Sequence, residues 1–288
     1  QEFRELLDNY SFYQDDLVGD EVGIPLYFLG KKTNKSKIKV VQVGEGADEL
    51  FYGYDHWNRY LKLNKFFKPF FKSTKKYSSF KNHRLNLLSN ILFDRTSFAG
   101  GALGFNLKEL DSLIEDGLPN HSDLIFYADN KWKDYFSNKN SKISKWMTLI
   151  DLKIRLPELL LMRMDKLVMQ SAVEARVPFL DHKLVEYVLS LPEELLIDLT
   201  NTKSLLKKVA LKYLPDQIIN RKKQGFRAPI GEWIKKDEEK FYESVQQFNS
   251  LVNLFNEREL NHILNGNDYQ KKWYLINLSN WHLARVAN

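Results

Sequence analysis

The chain has 288 residues, of which 43% are hydrophobic and 28% are charged, a balance that excludes a largely disordered protein. It contains no cysteine, which excludes disulfide frameworks, cysteine nucleophiles and cysteine-ligated zinc sites within these residues. The formal net charge of +6 suits phosphorylated small molecules, nucleic acid or anionic lipid, and does not decide among these three classes.

The two ends of the sequence give expectations about location and length. No apolar run is long enough to cross a bilayer, and the first residues carry no export signal. A cytoplasmic location is therefore the default expectation. The chain begins at Gln1 without an initiator methionine, so we expect it to be an internal piece of a longer polypeptide.

One segment predicts a buried β-strand, the β-branched run at residues 38–43, which Gly44 ends. A helix is predicted before it at residues 24–29, and another after it at residues 48–60. Helix, strand, glycine turn and helix is the order of a parallel α/β layer. Because one strand cannot form a sheet, we expect its parallel neighbours upstream of Gln1 and its edges to be unpaired in this chain.

Most of the remaining chain is predicted to be helical. The predicted helices lie at residues 159–171, 183–191, 205–213 and 273–286. Pro157 is expected to break the chain before the first of these, and Asp181 to cap the second. The third carries an apolar stripe at helical spacing. We therefore expect residues 1–60 to be the C-terminal part of an α/β layer and residues 61–288 to be mostly helical.

Residues 65–84 interleave aromatic with basic side chains. Such a segment could stack on and neutralise a nucleic-acid strand. We favour instead a surface insert with solvated lysines, because no known nucleic-acid-binding motif accompanies it. A nucleic-acid partner is therefore disfavoured, as is a membrane.

The glycine turn at residues 44–49, Gly-Glu-Gly-Ala-Asp-Glu, carries the sharpest chemical signal. A glycine turn after a parallel strand lets backbone N–H groups approach an anion, and a following helix N-terminus favours it. Carboxylates beside a phosphate usually imply a bridging Mg²⁺. Alternatively, Asp48 and Glu49 only oppose the helix dipole, which is the better interpretation of this motif alone.

Four ordered blocks resemble the synthetase domain of the glutamine-hydrolysing asparagine synthetases. Residues 40–54, VVQVGEGADELFYGY, match the family pattern S-G-E/D-G-A/G-D-E-L-F-G-G-Y. The other blocks are residues 20–27 (D-x-x-x-I-P-L-Y), residues 161–181 (R-M-D, then V-E-A-R-V-P-F-L-D) and residues 202–233 (K-S-L-L-K, then R-K-K-Q-G-F, P and W). Four blocks in the family order are more specific than any one motif.

The resemblance implies a Rossmann-like PP-loop fold of the adenine-nucleotide α-hydrolase type, an α/β fold that is helix-dominated in this fragment. It implies an ATP- and Mg²⁺-dependent carbon–nitrogen ligase of asparagine biosynthesis, an amidotransferase that adenylates the aspartate side chain and lets ammonia displace AMP. Adenylation converts a poor electrophile into a good one, and the departing pyrophosphate needs Mg²⁺ and basic side chains.

On this resemblance, Lys203, Glu45 and Tyr54 are the expected catalytic residues, and Asp48 is the expected metal ligand. Lys203 would stabilise the adenylation transition state, and Glu45 would lie near the reacting carboxyl. From the residues alone, Lys203 is a first-turn lysine on the polar face of a helix, where solvation is its usual role.

Nucleotide and substrate positions follow from the same resemblance. The expected nucleotide-binding residues are Val43, Gly44 and Gly46, and the expected substrate-binding residues are Glu49, Arg221 and Lys223. The basic loop that contains the last two could clamp phosphates or could be a surface turn, and the residues do not decide between these alternatives.

A second set of charged residues is expected to be structural. They are Arg163, Asp165, Glu174, Arg176 and Asp181, which we expect to form a network that joins two lobes.

The chain departs from the family pattern at two positions in the first block. Val43 replaces the family serine, and Tyr52 replaces the first glycine of G-G-Y. These changes leave open an amidotransferase that acts on another carboxylate, such as a sugar acid or peptide, and a non-catalytic relative.

Two family elements have no match in these residues, the S-G-G-x-D-S pyrophosphate loop and the cysteine glutaminase domain that supplies ammonia. Both precede the matching blocks in the family, so we expect them upstream of Gln1. We accordingly expect the isolated chain to be inactive. A homodimer is compatible with the resemblance.

Overall fold

The computed structural model describes residues 6, 10, 13–14, 16–67, 104–118, 143–221 and 228–285. These residues are mostly helical and include two short strands. Most of the basic and aromatic segment at residues 65–84 lies outside them, as does Lys223. None of the helices in the described part is long and apolar enough to cross a membrane.

The elements of the first part of the chain are α1 (Gly23–Lys35), β1 (Val40–Gln42), α2 (Ala47–Leu50), α3 (Asp55–Phe67) and α4 (Leu107–Leu113). Then come α5 (Ile143–Ile150), a π-helix (Asp151–Leu161), α6 (Met162–Met169), β2 (Glu174–Arg176) and a 3₁₀ turn (Pro178–Leu180). The C-terminal helices are α7 (His182–Ser190), α8 (Glu193–Leu196), α9 (Ser204–Ala210), α10 (Asp216–Ile219), α11 (Ile230–Lys236), α12 (Glu238–Val252), α13 (Glu257–Leu264) and α14 (Tyr269–Arg285).

The two strands pair in parallel, in the register Val40 with Glu174, Val41 with Ala175 and Gln42 with Arg176. The ladder continues past β1, because the Val43 N–H donates to the Arg176 carbonyl at 2.9 Å. The expectation of a strand without a parallel neighbour is therefore wrong on one edge. Strand β2 is not predicted from the sequence, because it is three residues long and both its ends, Glu174 and Arg176, are polar and exposed.

Strand β1 is less buried than its β-branched sequence predicts. Ile38 and Val40 are 47% and 41% exposed, whereas Val41 and Val43 are half-buried. The half-buried face packs on a small cluster supplied by α1, α6 and the start of β2. The described residues thus cover one face of the strand, which explains the exposure of the other.

Two larger cores flank this small sheet. One is built mainly from the C-terminal helices α11 to α14, around Trp273, Phe248 and Leu260. The other joins the residues that follow β1 to α3, α5 and α7, around Trp57 and Met147. The glycine turn after β1 leads directly into this second core, so packing there positions the candidate site.

The helical run at residues 143–169 is continuous, and Pro157 does not break it. The proline lies inside the π-helix Asp151–Leu161. In an α-helix a proline removes one hydrogen bond and its ring meets the carbonyl four residues earlier. In a π-helix each backbone hydrogen bond spans five residues, so the proline ring does not face the backbone carbonyl in the way it does in an α-helix. The predicted break is therefore wrong.

The predicted helix at residues 48–60 is two helices, α2 and α3. Between them, Tyr52 has a left-handed backbone with φ of 54°. An L-residue cannot continue an α-helix from that conformation. The left-handed backbone also accounts for the glycine of the family pattern at this position, because glycine adopts it without steric cost.

The other helix predictions have mixed outcomes. Asp181 caps α7 as predicted, since its carboxylate accepts from the backbone N–H groups of Lys183 and Leu184. The last predicted helix is confirmed as α14. The third is present as α9, and only the first part of its apolar stripe faces a core: Leu205 and Leu206 pack against the second core, whereas Val209 is 49% exposed and Tyr213, beyond the helix, is 79% exposed.

Gly46 and Gly44 provide a matched test of the turn after β1. Gly46 has φ of 91°, and a Cβ there would lie 2.7 Å from Leu180 Cγ, whereas a Cβ on Gly44 would meet nothing within 4 Å. We expect Gly46→Ala to lower the free energy of unfolding by about 2 kcal/mol, from backbone strain and overpacking. Gly44→Ala should cost under about 0.5 kcal/mol. Chemical denaturation measures both, and equal losses would contradict this account of the turn.

Candidate active site

The candidate site lies where the two parallel strands end. The glycine turn, residues 44–46, follows β1, and the 3₁₀ turn Pro178–Leu180 follows β2. The two turns contact each other through Gly46 and Leu180, and the rings of Phe51 and Phe179 meet edge to face at 6.2 Å. Parallel pairing thus brings two sequence-distant motifs to one edge, the position where ligands bind in open α/β sheets.

Lys203 reaches this edge from the start of α9. Its ammonium lies 3.1 Å from Asp48 Oδ2, and both side chains are about one quarter exposed. Gly53 is required for this contact, because a Cβ there would overlap Asp48 Oδ1 and Lys203 Cε. The predicted metal ligand and the predicted catalytic lysine are therefore adjacent.

The backbone of Lys203 differs from its prediction as a first-turn helix residue. It precedes α9 and has a left-handed conformation, with φ of 56° and ψ of 34°. This conformation costs a lysine on the order of 1 kcal/mol. The side chain consequently points back to the glycine turn, so the solvated-lysine interpretation is wrong in this respect.

Glu49 and Tyr54 form a second pair beside the first. The Tyr54 hydroxyl donates to Glu49 Oε1 at 2.5 Å, and Glu49 is 1% exposed. Burial raises the pKa of the Tyr54 phenol, and the hydrogen bond to Glu49 adds to the rise against the opposing charge of Arg155. The phenol therefore stays protonated and acts as the donor.

Arg155 on the π-helix joins this pair to Asp151. Its Nη1 lies 2.9 Å from Asp151 Oδ2 and 3.7 Å from Glu49 Oε1. The guanidinium carbon lies 4.8 Å from the centroid of the Tyr54 ring, within the range of a cation–π contact. Burial lowers the pKa of Arg155, but Tyr54 and Asp151 raise it by more, so Arg155 stays charged. We call Glu49, Tyr54, Asp151 and Arg155 the buried charge cluster.

The buried charge cluster holds two carboxylates against one guanidinium. Within the described structure, Glu49 Oε2, Asp151 Oδ1 and Arg155 Nε are buried and have no hydrogen-bond partner. Unpartnered buried polar atoms are costly and rare in native proteins. The cluster therefore has free acceptor oxygens, which suit a ligand that carries N–H or ammonium groups.

Glu45 belongs to a separate ion-pair chain on the other side of the turn. Arg163 of α6 pairs with Asp20 and lies 3.6 Å from Glu45 Oε1. Burial raises the pKa of Glu45, against the opposing charge of Arg163. Glu45 is therefore tied to α6 while its neighbours Asp48 and Glu49 face Lys203 and Arg155.

The structure does not support a single network of the five charged residues predicted to join two lobes. In the described part of the chain, Arg163 pairs with Asp20 and Glu45, whereas Glu174 and Arg176 pair with each other at 2.8 Å on the surface. Asp181 caps α7, and Asp165 is exposed. The five residues share one stretch of sequence but lie on α6, on β2 and at the start of α7, so they have separate partners.

The remaining predicted residues lie at the rim or away from the site. The Val43 side chain packs with the apolar cluster under the sheet, so an aliphatic residue suits the position of the family serine. Gly44 is exposed at the end of β1. Arg221 is exposed after α10, and no ion pair among the described residues links it to the glycine turn.

Among the residues described, no group of three or more His, Asp or Glu side chains is placed to hold a metal ion. Asp48 offers one carboxylate, which Lys203 contacts. Nucleotide-bound Mg²⁺ commonly takes only one or two protein carboxylates, with phosphate oxygens and waters as its other ligands. Asp48 fits the role of such a single protein ligand.

Sequence reasoning missed Asp151, Arg155 and Gly53 as site residues. A signal for the first two was present, because they form a charged i, i+4 pair inside an apolar run that begins at Ile143. Opposite charges at that spacing on an apolar helix indicate burial with a partner. No sequence pattern indicated that Gly53 would lie against a lysine 150 residues away.

Asp151 makes the pH dependence of stability testable. Burial raises its pKa from 3.8 to about 6, despite the opposing charge of Arg155. The native state thus holds this proton more tightly than the unfolded chain, and the stability that it contributes is lost as the pH rises from about 4 through 6. A change from 3.8 to about 6 corresponds to about 3 kcal/mol.

Asp151→Asn has no proton to lose, so we expect it to become more stable relative to wild type, by about 3 kcal/mol, between pH 4 and pH 7. Denaturation at a series of pH values measures the difference. Lys153→Met, on the exposed side of the same π-helix, is the control. A variant that instead loses stability relative to wild type as the pH rises would contradict the sign of the pKa change.

Comparison with known proteins supports the family resemblance described above. The profile of the family described as asparagine synthase matches residues 1–283. Asparagine synthetase [glutamine-hydrolyzing] 1 of Bacillus subtilis is 29% identical over 255 residues, which is 86% of this chain and 39% of that protein. A Mycobacterium bovis protein provisionally named asparagine synthetase [glutamine-hydrolyzing] is 30% identical over 307 residues, 100% of this chain and 45% of that protein.

The chain thus spans 39–45% of the length of these relatives. A family profile that covers residues 1–283 extends well beyond the four blocks that first indicated the resemblance. The prediction drawn from those blocks is confirmed: the chain belongs to the asparagine synthase family.

Proposed function

We propose that this chain carries the amide-forming site of an ATP-dependent ligase of the asparagine synthetase type. In the proposed reaction an aspartate side-chain carboxylate attacks the α-phosphorus of ATP, which gives an acyl-adenylate and releases pyrophosphate. Ammonia then adds to the acyl carbon, AMP leaves, and the nitrogen loses a proton to give asparagine. The observation that most supports this proposal is the 3.1 Å contact between Lys203 and Asp48, two residues assigned to the reaction from separate motifs.

Lys203 is proposed to stabilise negative charge on the phosphate groups during adenylation. Its ammonium is half-buried, held by one carboxylate, and carried on a backbone that directs it toward the glycine turn. A preorganised cation needs no reorganisation when charge develops in the transition state. In the absence of nucleotide, Asp48 holds the ammonium in place.

The residues around the glycine turn are proposed to bind the nucleotide. Gly44 and Gly46 would present backbone to the adenylate, and Val43 would border it from the end of β1. Asp48 would be the protein ligand of Mg²⁺, which when bound supplies charge neutralisation for the phosphates. The open space around Gly44 supports this assignment.

The acceptor amino acid is proposed to lie toward the buried charge cluster and Glu45. The free Oε2 of Glu49 can accept a hydrogen bond from an ammonium group, and Tyr54 keeps the other oxygen occupied. Glu45 would lie near the reacting carboxyl, where a carboxylate whose pKa is raised by burial suits accepting a proton from the nitrogen after ammonia has added to the acyl carbon. Arg221 and Lys223 are proposed to contact the substrate phosphates, as expected from the resemblance.

Larger-scale features of the family are part of the same proposal. We infer that β1 and β2 belong to a wider Rossmann-like sheet of the PP-loop type, in which residues 1–60 form the end of the nucleotide layer and residues 61–288 add β2 and the helical remainder. The relatives' names describe glutamine hydrolysis. We propose a glutaminase domain in the same protein as the source of ammonia.

Replacing the lysine tests the adenylation role. We expect Lys203→Ala, in the protein at its natural length, to lower aspartate-dependent pyrophosphate release by about 10²–10³-fold, because one charge stabiliser is lost. Lys208→Ala is the matched control, since Lys208 is an exposed lysine on α9, the helix that Lys203 precedes. Both variants should unfold cooperatively. Release at the wild-type rate by Lys203→Ala would contradict the assignment.

A scan of acceptors completes this experiment. Pyrophosphate release is measured with aspartate, glutamate, a uronic acid and a peptide with a free side-chain carboxylate, each with ammonium as the nitrogen donor. The proposal requires aspartate to give the highest kcat/KM. A preference for another carboxylate would support the adenylation chemistry but would contradict aspartate as the substrate.

A further inference from the structure

We propose that Arg155 is a positioning residue that orients Glu49 and Tyr54 so that Glu49 presents its free carboxylate oxygen to the amino-acid substrate. The kinetic part of this inference rests on the proposed function. Its structural part rests on contacts within the buried charge cluster, which can be tested without turnover.

One guanidinium contacts each of the three other members of the cluster. Arg155 Nη1 lies between Asp151 Oδ2 at 2.9 Å and Glu49 Oε1 at 3.7 Å, and its guanidinium carbon lies over the Tyr54 ring, 4.8 Å from the centroid. A guanidinium is planar and rigid, so fixing it at Asp151 also fixes the direction in which it meets its other partners. Lysine supplies the charge but only part of this geometry.

The contact with Glu49 has a specific consequence for its two oxygens. Oε1 receives the Tyr54 hydrogen bond and faces Arg155, whereas Oε2 is buried without a partner in the described structure. The protein therefore occupies one oxygen from two directions and leaves the other available.

Charge balance gives a second argument. Glu49 is 1% exposed and Asp151 is fully buried, and the charge of Glu49 adds to the burial that raises the pKa of Asp151. Without Arg155 the two carboxylates would share a poorly solvated space without a cation. Arg155 thus supplies the opposing charge and faces one Glu49 oxygen, while Asp151 anchors Arg155 on the π-helix.

The test compares Arg155→Met, Arg155→Lys and a control, Lys153→Met, which removes a charge from the exposed side of the same helix. In the protein at its natural length we expect Arg155→Met to lower kcat for aspartate-dependent pyrophosphate release by about 10²-fold, the usual cost of a misplaced reacting group. The KM for ATP should change by less than about twofold. Arg155→Lys should recover part of kcat, and the control should match wild type.

A double-mutant cycle with Tyr54→Phe separates positioning from direct contact with substrate. If Arg155 acts through the Glu49–Tyr54 pair, its replacement should cost clearly less in the Tyr54→Phe background than in wild type. Additive losses in kcat would overturn the inference, and so would a loss of stability at an unchanged kcat. If Arg155→Met does not fold, Arg155→Lys takes its place in the cycle.

A second cycle on unfolding, with Arg155→Met or Arg155→Lys and Glu49→Gln, distinguishes the two possible failures. An inactive wild-type protein would refute the proposed function, and this cycle would then decide alone whether Arg155 holds Glu49. Non-additive losses support that contact, and additive losses overturn it. An active wild type whose Arg155 variants keep kcat would leave the proposed function intact and refute the positioning role.

Discussion

Parallel pairing of β1 with β2 is the constraint on which the site depends. The register Val41 with Ala175 aligns two strands that are more than 130 residues apart in sequence, so both end at the same edge. Among the described residues, Glu45, Asp48, Glu49 and Tyr54 follow the end of β1, and Lys203 and Arg155 contact them. The pairing is three residues long, so its persistence depends on the helices that pack under it, α1 and α6. Arg163 strengthens this arrangement because it links α6 to the residues before α1 and to Glu45.

The two charge sites at this edge are built differently, and the difference matches their proposed tasks. Lys203 and Asp48 are partly exposed, so solvent screens their attraction and either partner can be released to a ligand. Glu49, Asp151 and Arg155 are almost fully enclosed, where breaking one contact leaves an unpaired buried charge. The first site is suited to exchange partners during a reaction. The second is suited to stay unchanged throughout it.

Sequence motifs selected residues that lie together more successfully than they predicted the fold around them. Lys203 and Asp48, assigned from separate blocks, are in contact in the structure, and Asp181 caps α7 as its cap pattern predicted. By contrast, β2 is too short and too polar to be recognised, and the break between α2 and α3 depends on the backbone of Tyr52, which no pattern of side chains reveals. The chain break predicted at Pro157 is wrong because the prediction assumed α-helical geometry, whereas this segment is a π-helix.

The buried charge cluster could not be predicted from the sequence for a different reason. Its members come from two segments about 100 residues apart, and only folding brings Arg155 to Glu49. Burial was the missing information, because an arginine in an isolated helix sequence is usually a surface residue. The same lack of three-dimensional context hides where the apolar stripe of α9 leaves the core, since Leu206 packs against it but Val209 is 49% exposed.

Tyr52 shows how a departure from a family pattern can become difficult to reverse. Its left-handed backbone disfavours any side chain, yet its ring is buried edge to face against Trp57 at 5.4 Å, and Thr148 donates to its hydroxyl at 3.3 Å. Glycine would relieve strain on the order of 1 kcal/mol but would empty a space whose loss costs about 3–5 kcal/mol. The neighbours of the ring, Trp57 and Thr148, therefore favour the tyrosine despite its backbone strain. A return to glycine would have to be accompanied by larger side chains at surrounding positions, which makes it a change of several residues and not of one.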